Sequence, residues 1–259
     1  MRVLANVQID QNKAIKTFAF ENPKYLGDPL NIIRILNQKG AQEIVLTDLG
    51  ASRSKALNYD LIKYIADEVT VPFSYGGGIS DRTDTKLLAS LGVERFLVNS
   101  SFYQSPDVVD NLVKDLGSSS VSFSLDISIS GNFGKGIYFT HSASKFSSDL
   151  NFSQICERIR LLNIGEVIFR IVEIDGSDGS QTLDLYASFF QEFEKEISTI
   201  RERQILIGTG VRNVKLAQDV VSKLEVDGCV VGSMVSFAGS GSGVLISFPK
   251  AFNIALNLI

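Results

Sequence analysis

Ser74-Tyr75-Gly76-Gly77-Gly78-Ile79-Ser80, followed by Phe96-Leu97-Val98-Asn99-Ser100-Ser101, is the stretch on which the fold turns. Each piece is a short β-rich apolar run, the first ending in three glycines and the second in Asn and Ser. Glycines directly after a strand let backbone N–H groups close on an anion, and Asn and Ser add further donors. The pattern recurs in the second half of the chain, with a shift of roughly 120 to 130 residues. IGTGVRN at 207–213 echoes SYGGGIS, VVGSMV at 230–235 echoes FLVNSS, and EVIFRI at 166–171 echoes EIVLTD at 43–48. Two half-barrels with two equivalent sites at strand ends are the expectation. Strand-end loops and helix N-termini are where barrels hold phosphate, so the duplicated sites imply an elongated substrate with a phosphate at each end.

Outward from these motifs, β-rich runs alternate with amphipathic stretches along the whole chain. Strands are predicted at Val3–Ile9, Glu43–Asp48, Val71–Tyr75, Arg95–Asn99, Val121–Asp126, Glu166–Ile171, Gln204–Gly208 and Asp227–Gly232, with helical patterns between them such as Pro29–Lys39 and Leu57–Val69. Runs such as EIVLTD and GCVVGS are apolar without alternation, as in parallel strands buried on both faces. Eight β-then-α units suit a closed barrel better than an open doubly wound sheet. The expected architecture is therefore an α/β protein, a (β/α)8 TIM barrel of two half-barrels in one domain over residues 1–259. SGNFGKG after the fifth strand and AGSGSG after the eighth read as loops.

The net charge of −4 offers no electrostatic attraction for nucleic acid or an anionic membrane. No apolar stretch reaches the roughly 18 residues that span a bilayer, and the N-terminus turns polar too soon for a signal peptide. Cys156 and Cys229 sit in predicted buried elements without a CxxC pattern, so neither a disulfide framework nor a zinc site is expected. These features suit a reducing, cytoplasmic compartment, with no metal or cofactor.

In barrels, catalytic groups lie at the C-terminal ends of strands. Those ends offer Gln8, with Asp10 just beyond, and Asp48, Asp126, Glu173 and Asp175. Asp126 closes an apolar strand at the barrel mouth, where an ionisable group is costly unless it is solvated or paired, and it is the candidate general acid or base. Asp48 can equally organise its own loop. The single histidine, His141, is expected at the surface. The first anion site is Gly76–Gly78 with Asn99, Ser100 and Ser101. The second is Gly208, Thr209 and Gly210 with Gly232 and Ser233, helped by Asp175, Gly176 and Ser177.

The half-barrel echo, GGGI at 76–79, VNSS at 98–101, LDIS at 125–128 and the opening FAFENPKYLGDP at 18–29 resemble the cyclase subunit of imidazole glycerol phosphate synthase, from Arg2 to about Phe237. The resemblance implies a glutaminase subunit docked at the bottom of the barrel. Ammonia would pass through the interior to a bis-phosphorylated intermediate at the top. It implies phosphate contacts at Gly78, Asn99 and Ser100 in one half and at Asp175, Gly176, Gly210, Gly232 and Ser233 in the other. Lys16 matches the family's loop-one lysine, and Asp126 one of two catalytic aspartates. The other aspartate position is Gln8, in NVQI, and glutamine does not exchange protons in the useful range. Arg170 and Ile171 also replace a small hydroxyl pair, and Thr209 replaces a glycine.

Arg2, Glu43, Arg95 and Glu166 match the family's charged ring at the ammonia entrance, so the glutaminase is expected over the strand starts, near Glu94 as well. A retained entrance and an altered mouth resemble paralogues associated with amidation of surface-polysaccharide sugars. The leading expectation is a synthase-type subunit diverged toward ammonia supply. The alternatives are a true histidine-pathway cyclase subunit, a half-barrel sugar-phosphate isomerase and a non-catalytic glutaminase-activating scaffold.

Overall fold

Eight parallel strands close into a barrel: β1 (Arg2–Asp10), β2 (Ile44–Asp48), β3 (Phe73–Gly76), β4 (Arg95–Val98), β5 (Val121–Ser128), β6 (Glu166–Ile171), β7 (Gln204–Ile207) and β8 (Gly228–Val231). Each pairs with the next, and Leu4 opposite Val230 closes β1 onto β8. The computed structural model describes residues 1–129, 137–141, 145–237 and 243–254. Most of the two Gly/Ser-rich loops, residues 130–136 and 238–242, lies outside the described residues. Every predicted strand is present, with ends moved by at most two residues.

Alternation along the strands separates two apolar regions. Val3, Ala5, Val7 and Ile9 of β1 point outward into the large core shared with the helices. The inward residues Leu4, Val45, Ile168, Leu206 and Val230, with Leu97 against them, form a separate small cluster inside the barrel. The helices lie outside for local reasons. In Pro29–Gln38, Asp28 accepts a hydrogen bond from the Asn31 N–H, Pro29 occupies the first turn, and Ile32, Ile33 and Leu36 face the strands. Among the described residues no helix is long and apolar enough to cross a membrane.

One element was not foreseen. β1 does not end near Gln8: it continues to Asp10 and pairs antiparallel with Lys13–Phe18, which pairs in turn with Glu21–Gly27. Two pairs of residues with positive φ, Gln11-Asn12 and Ala19-Phe20, make the two tight turns. Positive φ at both central residues is what a type I′ hairpin turn requires, but only Asn12 belongs to the residue types that adopt it readily, so no turn signal was visible. The hairpin folds over the mouth, where the Ala19 N–H donates to the Asp175 backbone carbonyl at 2.9 Å.

Candidate functional site at the barrel mouth

The first half-site is built by close backbone packing. Gly77 and Gly78 have φ of +131° and +70°, and a Cβ on Gly77 would lie 2.1 Å from the Asp48 carbonyl oxygen. Only glycine lets the turn pass so near β2. Asp48 performs the structural one of its two expected roles: its carboxylate accepts from Ala51 N at 2.7 Å and from the Tyr75 hydroxyl at 3.2 Å. Burial raises its pKa above the ordinary carboxylate value. After β4, Asn99 Nδ2 donates to the Ser124 carbonyl at 2.8 Å and to Asp126 Oδ2 at 3.2 Å. The short helix Ser100–Gln104 then begins without a side-chain cap. These elements border a cavity of about 710 Å³ that reaches from Gly76–Gly78 and Asn99–Ser101 to Asp126 and down to Leu97.

The second half-site repeats the backbone plan and fills it differently. Gly210 has φ of +81°, and the short helix Ser233–Ser236 also starts uncapped. Thr209 turns into the wall, donating to the Ile171 carbonyl at 2.8 Å and meeting the Tyr186 hydroxyl at 2.7 Å. Lys16 lies across Gly232, whose Cβ, were there one, would sit 3.3 Å from the Lys16 Cε. Lys16 Nζ donates to Asp175 Oδ1 at 2.7 Å and to the Thr17 carbonyl. Asp175 Oδ2 accepts from the Thr17 hydroxyl at 3.2 Å and from Phe20 N at 3.4 Å. Asp175 therefore holds the hairpin. The space left among Lys16, Asp175, Gly210 and Ser233 is about 20 Å³, close to the minimum for one water.

Between the half-sites stand Asp126, Gln8 and Arg170. Asp126 is fully buried, and desolvation pushes its pKa up to about 6, although Arg170 and Asn99 pull the other way. That value suits proton exchange near neutrality. Arg170 Nε faces Asp126 Oδ1 at 3.3 Å, its Nη1 donates to the Ser124 hydroxyl at 3.0 Å, and the guanidinium lies 4.3 Å from the centre of the Phe20 ring. Gln8 Oε1 accepts from Thr17 N at 2.9 Å and from the Thr17 hydroxyl at 3.2 Å. The residue in place of the second aspartate thus anchors the hairpin. Asp10 is held at the rim by Arg53. Burial lowers the Lys16 pKa; Asp175 opposes this, while Arg170 and Arg212 add to it.

At the opposite end, the four predicted charges meet. Arg2 Nη2 donates to Glu43 Oε2 at 2.7 Å, and Arg2 Nη1 donates to Glu166 Oε2 at 2.5 Å and to the Gln204 side chain. Arg95 Nη1 donates to Glu43 Oε1 at 2.6 Å. Glu166 Oε1 also accepts from the Ser122 hydroxyl at 2.5 Å. Three sides of the ring are bridged directly. Above it lies the apolar cluster of Leu4, Val45, Ile168, Leu206 and Val230.

His141 corrects an expectation. It is buried in the strand Tyr138–His141, which pairs with the end of β5, and its ring stacks between Tyr103 at 5.1 Å and Phe146 at 5.7 Å. Its loop looked polar because Tyr103, the residue that covers it, is remote in sequence. Glu173 Oε1 accepts from the Ser128 hydroxyl at 2.7 Å and from Ile129 N at 2.9 Å, a structural role at the end of β5. Cys156 and Cys229 are buried and free. The residues missed from sequence are Thr17 and Phe20 on the hairpin and Lys55 and Lys145 at the cavity rim. An isolated Lys in a polar loop carries no signal of what it faces.

A closed (β/α)8 barrel with repeated glycine turns at its mouth and a charged ring at its base defines the class: an α/β TIM barrel of two half-barrels. More particularly, the chain matches the "Histidine biosynthesis protein" family over residues 2–237 and belongs to it. It is 28% identical over 250 residues to the Leptospira borgpetersenii "Putative imidazole glycerol phosphate synthase subunit HisF", covering 96% of this chain and 95% of the relative. It is 25% identical over 237 residues to the "Imidazole glycerol phosphate synthase subunit HisF" of Cytophaga hutchinsonii, covering 91% and 90%. The chain is a HisF-like cyclase-type barrel.

Proposed function

We propose that this chain is the barrel subunit of a cytoplasmic glutamine amidotransferase pair, diverged from cyclisation toward supplying ammonia for sugar amidation. A glutaminase docks over the strand starts, around Arg2, Glu43, Glu94, Arg95 and Glu166. Ammonia enters at the charged ring, follows the barrel axis past Leu4, Val45 and Leu206, and emerges beside Asp126 in the 710 Å³ cavity. Unprotonated ammonia is small and neutral, so an apolar passage admits it while holding back ions. At the mouth, Gly78, Asn99 and Ser100 receive the phosphate of a small-molecule ligand. Asp126, with Arg170 beside it, is the group able to take or give a proton. Lys16 closes the hairpin over the other half.

The observation that carries this reading is the contrast between the two ends. The base keeps a hydrogen-bonded ring of four charges. At the mouth, Gln8 is committed to Thr17 and supplies no second acid or base. A missing general acid or base typically costs about 10²- to 10⁴-fold. The alternative within the family, a histidine-pathway cyclase subunit, is favoured by Asp126 and its pKa of about 6.

The test is co-purification with a glutaminase from the same genome, followed by turnover of the bis-phosphorylated histidine-pathway intermediate with glutamine or with ammonium. The expected result is a complex with little cyclase turnover from either nitrogen source. Ordinary cyclase rates would establish the alternative, and failure to bind any such glutaminase would remove the partner.

A further inference from the structure

The two half-sites share a backbone plan but differ in room and in charge. The first opens on about 710 Å³ and the second on about 20 Å³. A phosphate group, with four oxygens, cannot enter a space near the size of one water. The occupants of the second half-site are the protein's own side chains. Lys16 covers Gly232, and the Arg170 stem passes over Gly208, where an added Cβ would lie 2.6 Å from Arg170 Cγ.

The two cations that fill that closed half already have a carboxylate. Lys16 pairs with Asp175 at 2.7 Å and Arg170 with Asp126 at 3.3 Å, and Arg212 is under the field of Asp178. The first half is different. Lys55 and Lys145 line its cavity, and among the described residues neither forms an ion pair. Among the described residues the larger space thus offers two lysines without an ion pair, whereas the two cations that fill the smaller one are matched. Arg170 lines both spaces, as do Gln8 and Phe20, and is the one cation among the three.

We propose that Arg170 and the Lys16–Asp175 pair make this barrel a one-anion receptor, whose ligand is a singly phosphorylated small molecule held at the first half-site. The ligand's phosphate lies against Gly77, Gly78 and Ser100, with Lys55 and Lys145 at the rim, and its remainder faces Asp126 and Arg170. The elongated bis-phosphate implied by the sequence repeat does not span the mouth. Arg170 is the specificity-determining residue. This rests on the reading of the mouth as a ligand site and is independent of the glutaminase.

The test titrates inorganic phosphate, fructose 6-phosphate and fructose 1,6-bisphosphate calorimetrically into the full chain at low ionic strength. Inorganic phosphate is expected to saturate at one site per chain. The two sugar phosphates should bind within about threefold of each other, because the second phosphate finds no site. Replacing both rim lysines (Lys55→Ala, Lys145→Ala) should weaken all three about tenfold, and Arg212→Ala should leave them within about twofold. Arg170→Thr, checked for native circular dichroism, should shift preference toward the bis-phosphate. Two phosphates per chain, a bis-phosphate bound tenfold tighter than the monophosphate, or its selective weakening by Arg212→Ala would overturn the inference while leaving the mouth a ligand site. Failure of all three probes to bind would overturn both, and would leave the glutaminase complex standing.

Discussion

Removing Arg2 tests the geometry of the ring at the base. Arg2 is the bridge between two acids: Glu166, whose side chain is 2% exposed, and Glu43, at 10%. In Arg2→Ala, Glu43 keeps Arg95 at 2.6 Å, but Glu166 is left with Ser122 alone among its side-chain partners. Taking one partner from a buried pair costs about 3–5 kcal/mol. Arg2 is itself 29% exposed, so water softens the loss, and a destabilisation of about 2–3 kcal/mol is expected after screening. Arg95→Ala strands no acid, because Glu43 retains Arg2, and should cost about 1 kcal/mol. At roughly 2–4 °C per kcal/mol for a chain of this size, the two variants separate clearly in melting temperature. Urea unfolding read by circular dichroism measures both. Glu166→Gln in the Arg2→Ala background should recover most of the loss, since a neutral amide needs no counter-ion. The reasoning fails if Arg2→Ala costs no more than Arg95→Ala, or if the added Glu166→Gln recovers nothing.

Other consequences are simpler to state. Gln8→Ala should loosen the hairpin by removing the one oxygen, Oε1, that accepts from both the Thr17 N–H and its hydroxyl, seen as faster hydrogen exchange at the Thr17 amide, at a cost of about 1–2 kcal/mol in stability. Asp126 has a folded-state pKa of about 6 against an unfolded value near 3.8, so its contribution to stability is complete below about pH 4 and is lost as pH rises through 6. Unfolding free energies of wild type and Asp126→Asn should therefore diverge between these pH values, by on the order of 2–3 kcal/mol, and a constant difference would refute the assignment. Gly77→Ala should cost more than about 3 kcal/mol, or prevent folding, because its Cβ would meet the Asp48 carbonyl at 2.1 Å with φ at +131°. If the ring is the ammonia entrance, Arg95→Ala should leave glutaminase docking nearly intact and lower glutamine-dependent transfer.

The barrel and its half-repeat are legible in the chain without coordinates, because both depend on local pattern. A β-then-α alternation declares strands buried on both faces, and glycines after a strand declare a close backbone approach, whereas Arg2, Glu43, Arg95 and Glu166 were found through the family resemblance. Gln8 and Arg170 were visible as departures, but what they do was not. That depended on contacts between positions far apart in the chain: Gln8 with Thr17 across an unforeseen hairpin, Lys16 with Asp175, and Arg170 between Asp126 and Phe20. His141 looked exposed for the same reason, since Tyr103 covers it from another unit. The two halves look alike in sequence because the glycine turns are backbone features written locally. Their inequality comes from long-range packing, because side chains from β6 and the hairpin fill one and leave the other open.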